Sequence, residues 1–352
     1  MTPDLETLER DIAVAEASRW ELARREFGTF LNYVKILEPP PGGAIIPFEQ
    51  WDHLKEVNEV LAEAKLVVIL KSRQIGITWN LAAYALWVAM YQKGAYVPLI
   101  SQGQPEAQKF LAMSRFIWSE LPPELRVPLG TDSKTELSFP SMMSGIEALP
   151  STQKAGRSTS ATVAVIDEAD YHEYLESNYY ALKPGIDSSG GQLLLVSTSN
   201  PDNQVSLFKT IYRQAPHNGF RRVFYSWKVR PGRDADWYAR TKREYPREEK
   251  FEKEYPVSDV QALAPAQALV AFDVNALEAM KADCKAPIET REQHTHIWQR
   301  WYTGKRYIAF TDTSHGTGGD DAVTVILDVS TGYVVADVHS NTLNPEALAL
   351  AS

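Results

Sequence analysis

Lys71, Ser72, Arg73, Gln74, Ile75, Gly76, Ile77 and Thr78 make up the stretch of this chain best suited to polyphosphate chemistry. They follow an apolar run of strand length, 66–70, and lead into a helix-like segment, 80–92. A polyphosphate needs concentrated positive potential, and the first turn of a helix supplies unpaired N–H groups together with the positive end of a dipole. In the pattern G-x-x-x-x-G-K-[ST] the lysine reaches the terminal phosphates and the hydroxyl residue holds Mg2+. Gly76 and Thr78 fit that pattern, Ile77 stands where its lysine would, and Lys71 takes the place of the first glycine. A cation is present, but it enters from the other end of the loop. Alone, the stretch is as consistent with a plain strand-turn-helix crossover.

A second apolar run, 161–166, ends in Asp167, Glu168, Ala169 and Asp170. Adjacent carboxylates at the tip of a buried strand are unfavourable without a cation nearby, and Mg2+ with a nucleotide would supply one. Asp167 is then expected in the water-mediated Mg2+ shell, and Glu168 as the base that activates an attacking water. The bland alternative is an acidic helix start. A third run, 192–196, ends in Ser197, Thr198, Ser199, Asn200 and Pro201, a good turn by itself. Beside the phosphate-loop strand, its hydroxyls would face a terminal phosphate.

The elements that must position these groups alternate between strand and helix, which predicts an α/β fold with a parallel sheet covered by helices on both faces, and with the loop 71–78 and the acidic pair 167–168 it resembles a P-loop NTPase of ASCE type. Residues 5–34 carry mixed charge with Trp20, Leu22, Phe27 and Phe30 at helical spacing and read as one or two amphipathic helices packing on the domain. A proline- and glycine-rich loop, 38–43, precedes a helical stretch, 51–64. Residues 95–100 read as a strand in which Pro98 suits an edge or irregular position. A helix is expected over 105–121 and a strand over 221–225. Residues 227–255 read as a solvated helical pair with a thin aromatic stripe, and 261–287 as linker plus a short helix. Strands at 306–312, 322–328 and 333–339 predict a meander.

Four segments together resemble the large terminase subunit of tailed bacteriophages: the loop 71–78, the run Val165 to Ala169, the Ser-Thr-Ser-Asn-Pro turn, and Asp312-Thr313-Ser314-His315-Gly316. The resemblance covers nearly the whole chain, and the lysine at the start of the loop is similar to a deviant form found in some terminases. It implies an ATPase core over 1–226, a small helical lid over 227–260, a linker over 261–300, and the start of a ribonuclease-H-like nuclease domain over 301–352. It implies ATP and Mg2+ as ligands, Gln50 at the adenine, and Ser197, Thr198 and Ser199 coupling hydrolysis to movement. Arg73 in cis, or Arg157 reaching a neighbouring subunit, would be the arginine finger. Asp312, assisted by Asp320 or Asp321, would bind a divalent metal, Mg2+ or Mn2+, for nuclease chemistry. Such chemistry needs several convergent carboxylates, so inefficient cleavage by this polypeptide is expected. The implied partners are double-stranded DNA, a portal protein, a small terminase subunit and further copies in a ring on a procapsid. The implied setting is the host cytoplasm with transient docking on the procapsid, outside the mature virion. A helicase-like translocase and a nucleotide-binding remnant without turnover are the alternatives.

Composition agrees with a folded protein: 352 residues, 44% hydrophobic, enough for more than one domain. The net charge of -9 counts against extensive static DNA binding and leaves room for a local basic patch. A single cysteine, Cys284, excludes an internal disulfide framework and a cysteine-based zinc cluster. The acidic 1–10 segment is not expected to be a signal peptide, and the most apolar helical stretch, 81–90, is too short to span a bilayer, so no membrane partner is expected.

Overall fold

Three Val-, Leu- and Ile-rich runs form strands buried on both faces, as continuous apolar patterning in a parallel sheet demands. The computed structural model describes residues 5–37, 43–153, 160–203, 205–264, 280, 281, 283–292, 294–314 and 320–351. These divide into two compact units, Met1–Val270 and Ala271–Ser352.

In the first unit the strands are β1 (Lys35–Leu37), β2 (Ile45–Pro47), β3 (Leu66–Lys71), β4 (Tyr96–Ser101), β5 (Glu136–Phe139), β6 (Ser144–Pro150), β7 (Val163–Asp167), β8 (Gln192–Ser197) and β9 (Arg221–Tyr225). β1 and β2 pair with each other, and the remaining seven form a sheet of order β5-β6-β4-β7-β8-β3-β9. Only the β5 to β6 pairing in that sheet is antiparallel. β3 and the acidic strand β7 are separated by β8, so the strand ending in Ser197 lies beside β3, as expected. The β5–β6 hairpin has no counterpart in the sequence expectations: β5 is short and β6 alternates small and polar residues with Ile146, Ala148 and Leu149.

Side chains of the strands alternate between two cores. Val67, Ile69, Val97, Leu99, Val165, Leu194 and Val196 pack with Leu54 of α3 (Asp52–Glu63), with Leu81 and Leu86 of α4 (Ile77–Tyr91), and with Phe110 of α5 (Gln104–Glu120). Val68, Leu70, Ala164, Ile166, Leu193 and Leu195 face the opposite way, toward Leu182 of α6 (Leu175–Ser189) and Phe208 of α7 (Leu207–Gln214). α4 buries residues around nearly its whole circumference, which is why its sequence shows no polar stripe. At the N-terminus, α1 (Leu5–Arg25) and the short α2 (Phe27–Phe30) set Ala23, Phe27 and Phe30 into the first core. Leu22, expected on the packing face, is exposed instead.

Pro98 corrects an expectation, because β4 is interior, flanked by β6 and β7. Tyr96 exchanges hydrogen bonds with Thr162 on the β7 side, so Pro98, two residues on, turns its missing N–H the same way. The β7 ladder begins only at Leu99, so no bond is lost.

Residues 227–264 carry α8 (Ala235–Glu244), α9 (Glu248–Glu254) and α10 (Asp259–Leu263). Trp227, Phe251 and Tyr255 form a small core of their own with Trp237, Tyr238 and Tyr245. The stripe read as thin is a packed aromatic cluster, because Trp237, Tyr238, Tyr245, Phe251 and Tyr255 converge from two helices and the turn beyond.

The second unit holds a five-stranded antiparallel sheet of order β10-β11-β14-β13-β12. Its strands are β10 (Glu289–Arg291), β11 (Thr295–Ile297), β12 (Tyr307–Asp312), β13 (Ala322–Asp328) and β14 (Val334–Ser340), followed by α11 (Pro345–Ala351). β12, β13 and β14 are the meander read from the sequence. β10 and β11 fall within 261–300, where a linker was expected; β10 pairs with β11, and Thr295, His296 and Ile297 of β11 pair against β14. Leu348 of α11 packs on Ala322 and Val338, covering one face of the sheet.

Candidate functional site

The carboxyl ends of β3, β8 and β7 bring Lys71, Ser197 and Asp167 side by side, where an open α/β sheet binds its ligand. Gly76 adopts φ +83°, and a Cβ there would meet Leu54 Cδ1 at 3.3 Å and Trp51 Cζ3 at 3.5 Å. That left-handed turn lets α4 begin at Ile77, ahead of the expected start at Asn80, so Thr78 sits in the first helical turn. The N–H groups of that turn lack intrahelical partners.

Three outside groups hold the loop's carbonyls. Arg233 Nη1 donates to Arg73 O at 2.9 Å, Arg230 Nη1 to Gln74 O at 2.8 Å, and His53 Nε2 to Ile75 O at 2.7 Å. These bonds satisfy three carbonyls of the loop, while the N–H groups of Ser72 and Arg73 donate to Tyr225 O and Glu254 O. Arg233 lies against the rings of Trp237 and Tyr255, 4.5 and 5.1 Å from their centroids. Burial, with Arg230 nearby, pulls its guanidinium down to about 10. Gln74, Arg230, Pro231, Gly232, Arg233 and Trp237 line a cavity of about 240 Å³ beside the loop.

Lys71 is 5% exposed and places Nζ 3.1 Å from Glu168 Oε1. The other carboxylate oxygen of Glu168 accepts from Thr198 N and Thr198 Oγ1, both at 3.3 Å, and from Ser197 Oγ at 3.5 Å. Glu168 itself is left-handed at φ +52°, which turns its side chain off the line of β7 toward the neighbouring strand ends. Burial works against charge on both Lys71 and Glu168, but each outweighs it for the other. The ammonium is held above its ordinary range and the Glu168 carboxyl below. Asp167 goes the other way: burial, with Glu168 beside it, pushes its carboxyl up to about 6 against the pull of Lys71. Its Oδ1 is buried without a hydrogen-bond partner among the described residues.

Beneath this junction, Asp170 fastens the β8 turn. Its N–H donates to Ser197 Oγ at 3.1 Å, while its carboxylate accepts from Asn200 N at 2.6 Å and from Ser206 Oγ. The buried Lys209 ammonium lies 3.4 Å from the same carboxylate. Tyr171 donates its hydroxyl to Ser199 O at 3.1 Å.

His172 donates from Nε2 to Asp167 O at 2.8 Å, and burial drops its imidazole to about 4. The unfolded chain, with an ordinary histidine near 6.5, binds this proton first. Stability therefore falls as pH drops from about 6.5 to about 4, by up to about 3 kcal/mol. His172→Gln keeps a donor for Asp167 O. Urea unfolding at about pH 7 and pH 4.5 is expected to show a smaller acid loss in this variant than in wild type; equal losses would exclude His172 as the cause.

Of the remaining expected site residues, Gln50 donates Nε2 to Gly28 O at 3.1 Å and to Asn32 Oδ1 at 2.9 Å. Arg73 Nε lies 2.5 Å from Glu254 Oε2, and Glu254 O accepts from Arg73 N and Ser72 Oγ, both at 3.0 Å. Arg157 lies outside the described residues, as do His315 and Gly316. In the second unit Asp312 is exposed at the end of β12, and Asp321 Oδ2 lies 3.0 Å from His339 Nε2. Among the described residues no three His, Cys, Asp or Glu converge as a metal-binding group, and no helix is long and apolar enough to cross a membrane.

Sequence reading missed Arg230, Arg233, His53 and Asp170. The two arginines belong to a charged stretch whose composition is that of a solvated surface, and their partners, Arg73 and Gln74, are far away in the chain. Only the Pro231-Gly232 turn between them hints that the segment must bend back.

A scan against protein-family models returns no match, and a search of curated proteins returns none. Solved structures do match. The HK97 bacteriophage large terminase aligns over 87% of this chain and 66% of its own, at 15% identity and a TM-score of 0.51. The large terminase ATPase domain of Thermus phage P74-26 aligns over 59% of this chain and 98% of its own, at 17% identity and TM-score 0.46. The large terminase of the thermophilic bacteriophage D6E, in complex with ADP, aligns over 79% and 64%, at 11% identity and TM-score 0.46. The fold is therefore large-terminase-like, and the chain spans about two thirds of the HK97 protein's length.

Proposed function

We propose that this chain is the ATP-hydrolysing part of a viral DNA-packaging motor, a terminase large subunit that moves double-stranded DNA into a procapsid. The observation that carries the reading is the 3.1 Å contact of Lys71 with Glu168 across the tip of β8, with Thr198 bonded to the same carboxylate. A cation, a base and a hydroxyl-bearing turn thus meet where the phosphate loop opens.

In this reading the loop 71–78 wraps the phosphates, with N–H groups at the start of α4 as the anion site. Lys71, shared between Glu168 and the phosphates, is drawn toward the phosphates when they arrive and leaves Glu168 ionised and unpaired. Glu168 then takes the proton of the attacking water. The orphaned Oδ1 of the buried Asp167 and the hydroxyl of Thr78 fit Mg2+, which when bound would neutralise phosphate charge. Ser197, Thr198 and Ser199, tied to Glu168 on one side and to Asp170 and Tyr171 on the other, sense the loss of the terminal phosphate. Arg73 in cis, or Arg157 in trans, acts on the transition-state charge. Portal, small subunit and ring-forming copies are the partners, with host cytoplasm and procapsid as the setting. Asp312 and Asp321 are the carboxylates that a metal-dependent nuclease in the second unit would use.

The test is steady-state phosphate release from MgATP, with and without double-stranded DNA. Measurable turnover supports the reading, and a protein that neither binds nor hydrolyses ATP removes it.

Gln50 sharpens this test. Gly28 O can only accept, so the Gln50 amide must present its nitrogen to the protein, leaving Oε1 for a base. An acceptor suits the N6 amino group of adenine and opposes the O6 of guanine. ATP is expected to be hydrolysed at least about tenfold more efficiently than GTP, with Gln50→Ala erasing most of the difference, an effect of about one hydrogen bond. Equal use of both nucleotides by wild type would show that Gln50 does not read the base.

A further inference from the structure

We infer that Glu254 is a positioning residue for Arg73: its carboxylate pairs with the guanidinium, nearest at Nε, and fixes the direction in which the arginine meets the terminal phosphate of a nucleoside triphosphate. This inference rests on the loop being a triphosphate site.

An arginine side chain offers five N–H donors, one at Nε and four on the two Nη atoms. The 2.5 Å ion pair between Arg73 Nε and Glu254 Oε2 sets a carboxylate against the inner end of the guanidinium, and that oxygen is buried with no hydrogen-bond partner among the described residues. The Arg73 side chain is otherwise 56% exposed, so without this contact it has many rotamers available and no fixed direction. Arginine assistance in phosphoryl transfer depends on placement, because a misplacement of about 1 Å can lower the rate by about a hundredfold.

Glu254 is itself well held. It ends α9, whose Phe251 is fully buried and packs against Tyr255, Tyr238 and Tyr245. Neighbouring Lys253 donates to Gln261 O at 2.9 Å and to Ala262 O at 3.0 Å, fixing the end of α9 against α10. Arg233, which donates to Arg73 O, also lies over Tyr255, so the same aromatic cluster sets both the loop and the carboxylate. Anchoring of the loop and orientation of the arginine are separable functions of Glu254. Its main-chain carbonyl receives Arg73 N and Ser72 Oγ, and those bonds survive any change of side chain.

The experiment compares Glu254→Gln and Glu254→Asp with wild type, alone and combined with Arg73→Ala. The Gln variant is expected to lower kcat about ten- to a hundredfold with KM for MgATP within about threefold of wild type, as for a group that acts through another. The Asp variant recovers part of the loss. In the Arg73→Ala background the Gln substitution has no further effect, because there is nothing left to orient. As a readout independent of turnover, the Arg73 Nε–H resonance in a 1H–15N spectrum, assigned by its disappearance in Arg73→Ala, shifts upfield in Glu254→Gln. A Gln variant with wild-type kcat, or one equally harmful with and without Arg73, overturns the inference while leaving the ATPase reading intact. A wild-type protein that neither binds nor hydrolyses ATP overturns both.

Discussion

Glu168→Gln abolishes ATP hydrolysis by wild-type standards, lowering kcat by about two to four orders of magnitude, while MgATP binding persists. The substitution is nearly isosteric and retains an oxygen for Thr198 N and Thr198 Oγ1, so the turn after β8 keeps its contact. What disappears is the negative charge and with it the capacity to take a proton. Lys71 also loses its strongest partner, which frees the ammonium for phosphate and favours slightly tighter nucleotide binding. Phosphate release measured beside calorimetric titration with MgATP separates the two effects. Turnover near the wild-type rate would mean that another group activates the water, and Glu168 would then be no more than the counter-ion of Lys71.

Lys71→Ala removes a cation at the tip of β3 that is both buried and directed at the acidic strand. Nucleotide affinity is expected to drop by about a hundredfold or more. The fold suffers as well, because Glu168 and the buried Asp167 are left facing each other without compensation. Loss of one partner of a buried pair costs about 3 to 5 kcal/mol, and the 38% exposure of Glu168 reduces this to about 2 kcal/mol. The double variant Lys71→Met with Glu168→Gln distinguishes these consequences. Thermal stability should return toward wild type once both charges are gone, while MgATP binding should stay weak. Unchanged affinity in Lys71→Ala would assign Lys71 to charge balance alone and would count against the deviant loop as a phosphate site.

The predictions at Gln50, His172 and Glu254 depend on contacts of different kinds. Gln50 and Glu254 are both polar residues whose environment, more than their type, defines what they can do. Gln50 is left with one useful atom because Gly28 O claims the other end of the amide. Glu254 engages Arg73 twice, by side chain and by main chain, and only the first contact is open to substitution.

Much of this was legible in the linear chain. Consecutive apolar residues at 66–70, 161–166 and 192–196 required strands buried on both faces, and polar residues at their ends had to emerge together on one side of a parallel sheet. The glycine turn, the acidic pair and the hydroxyl-rich turn are local signals, each readable from a few neighbouring residues. Strand order was not local. That β8 lies between β3 and β7, so that Thr198 joins Lys71 at one carboxylate, follows from how the two cores pack. Pro98 shows the same limit, since an interior strand tolerates it only because the adjoining ladder starts one residue later. Arg230, Arg233 and Glu254 read as solvated charges because composition records what a side chain is, whereas the aromatic cluster beneath them decides where it points. Periodicity and turn chemistry act over a few residues and are written in sequence. The meeting of distant charges depends on the whole packed arrangement and had to be seen in the fold.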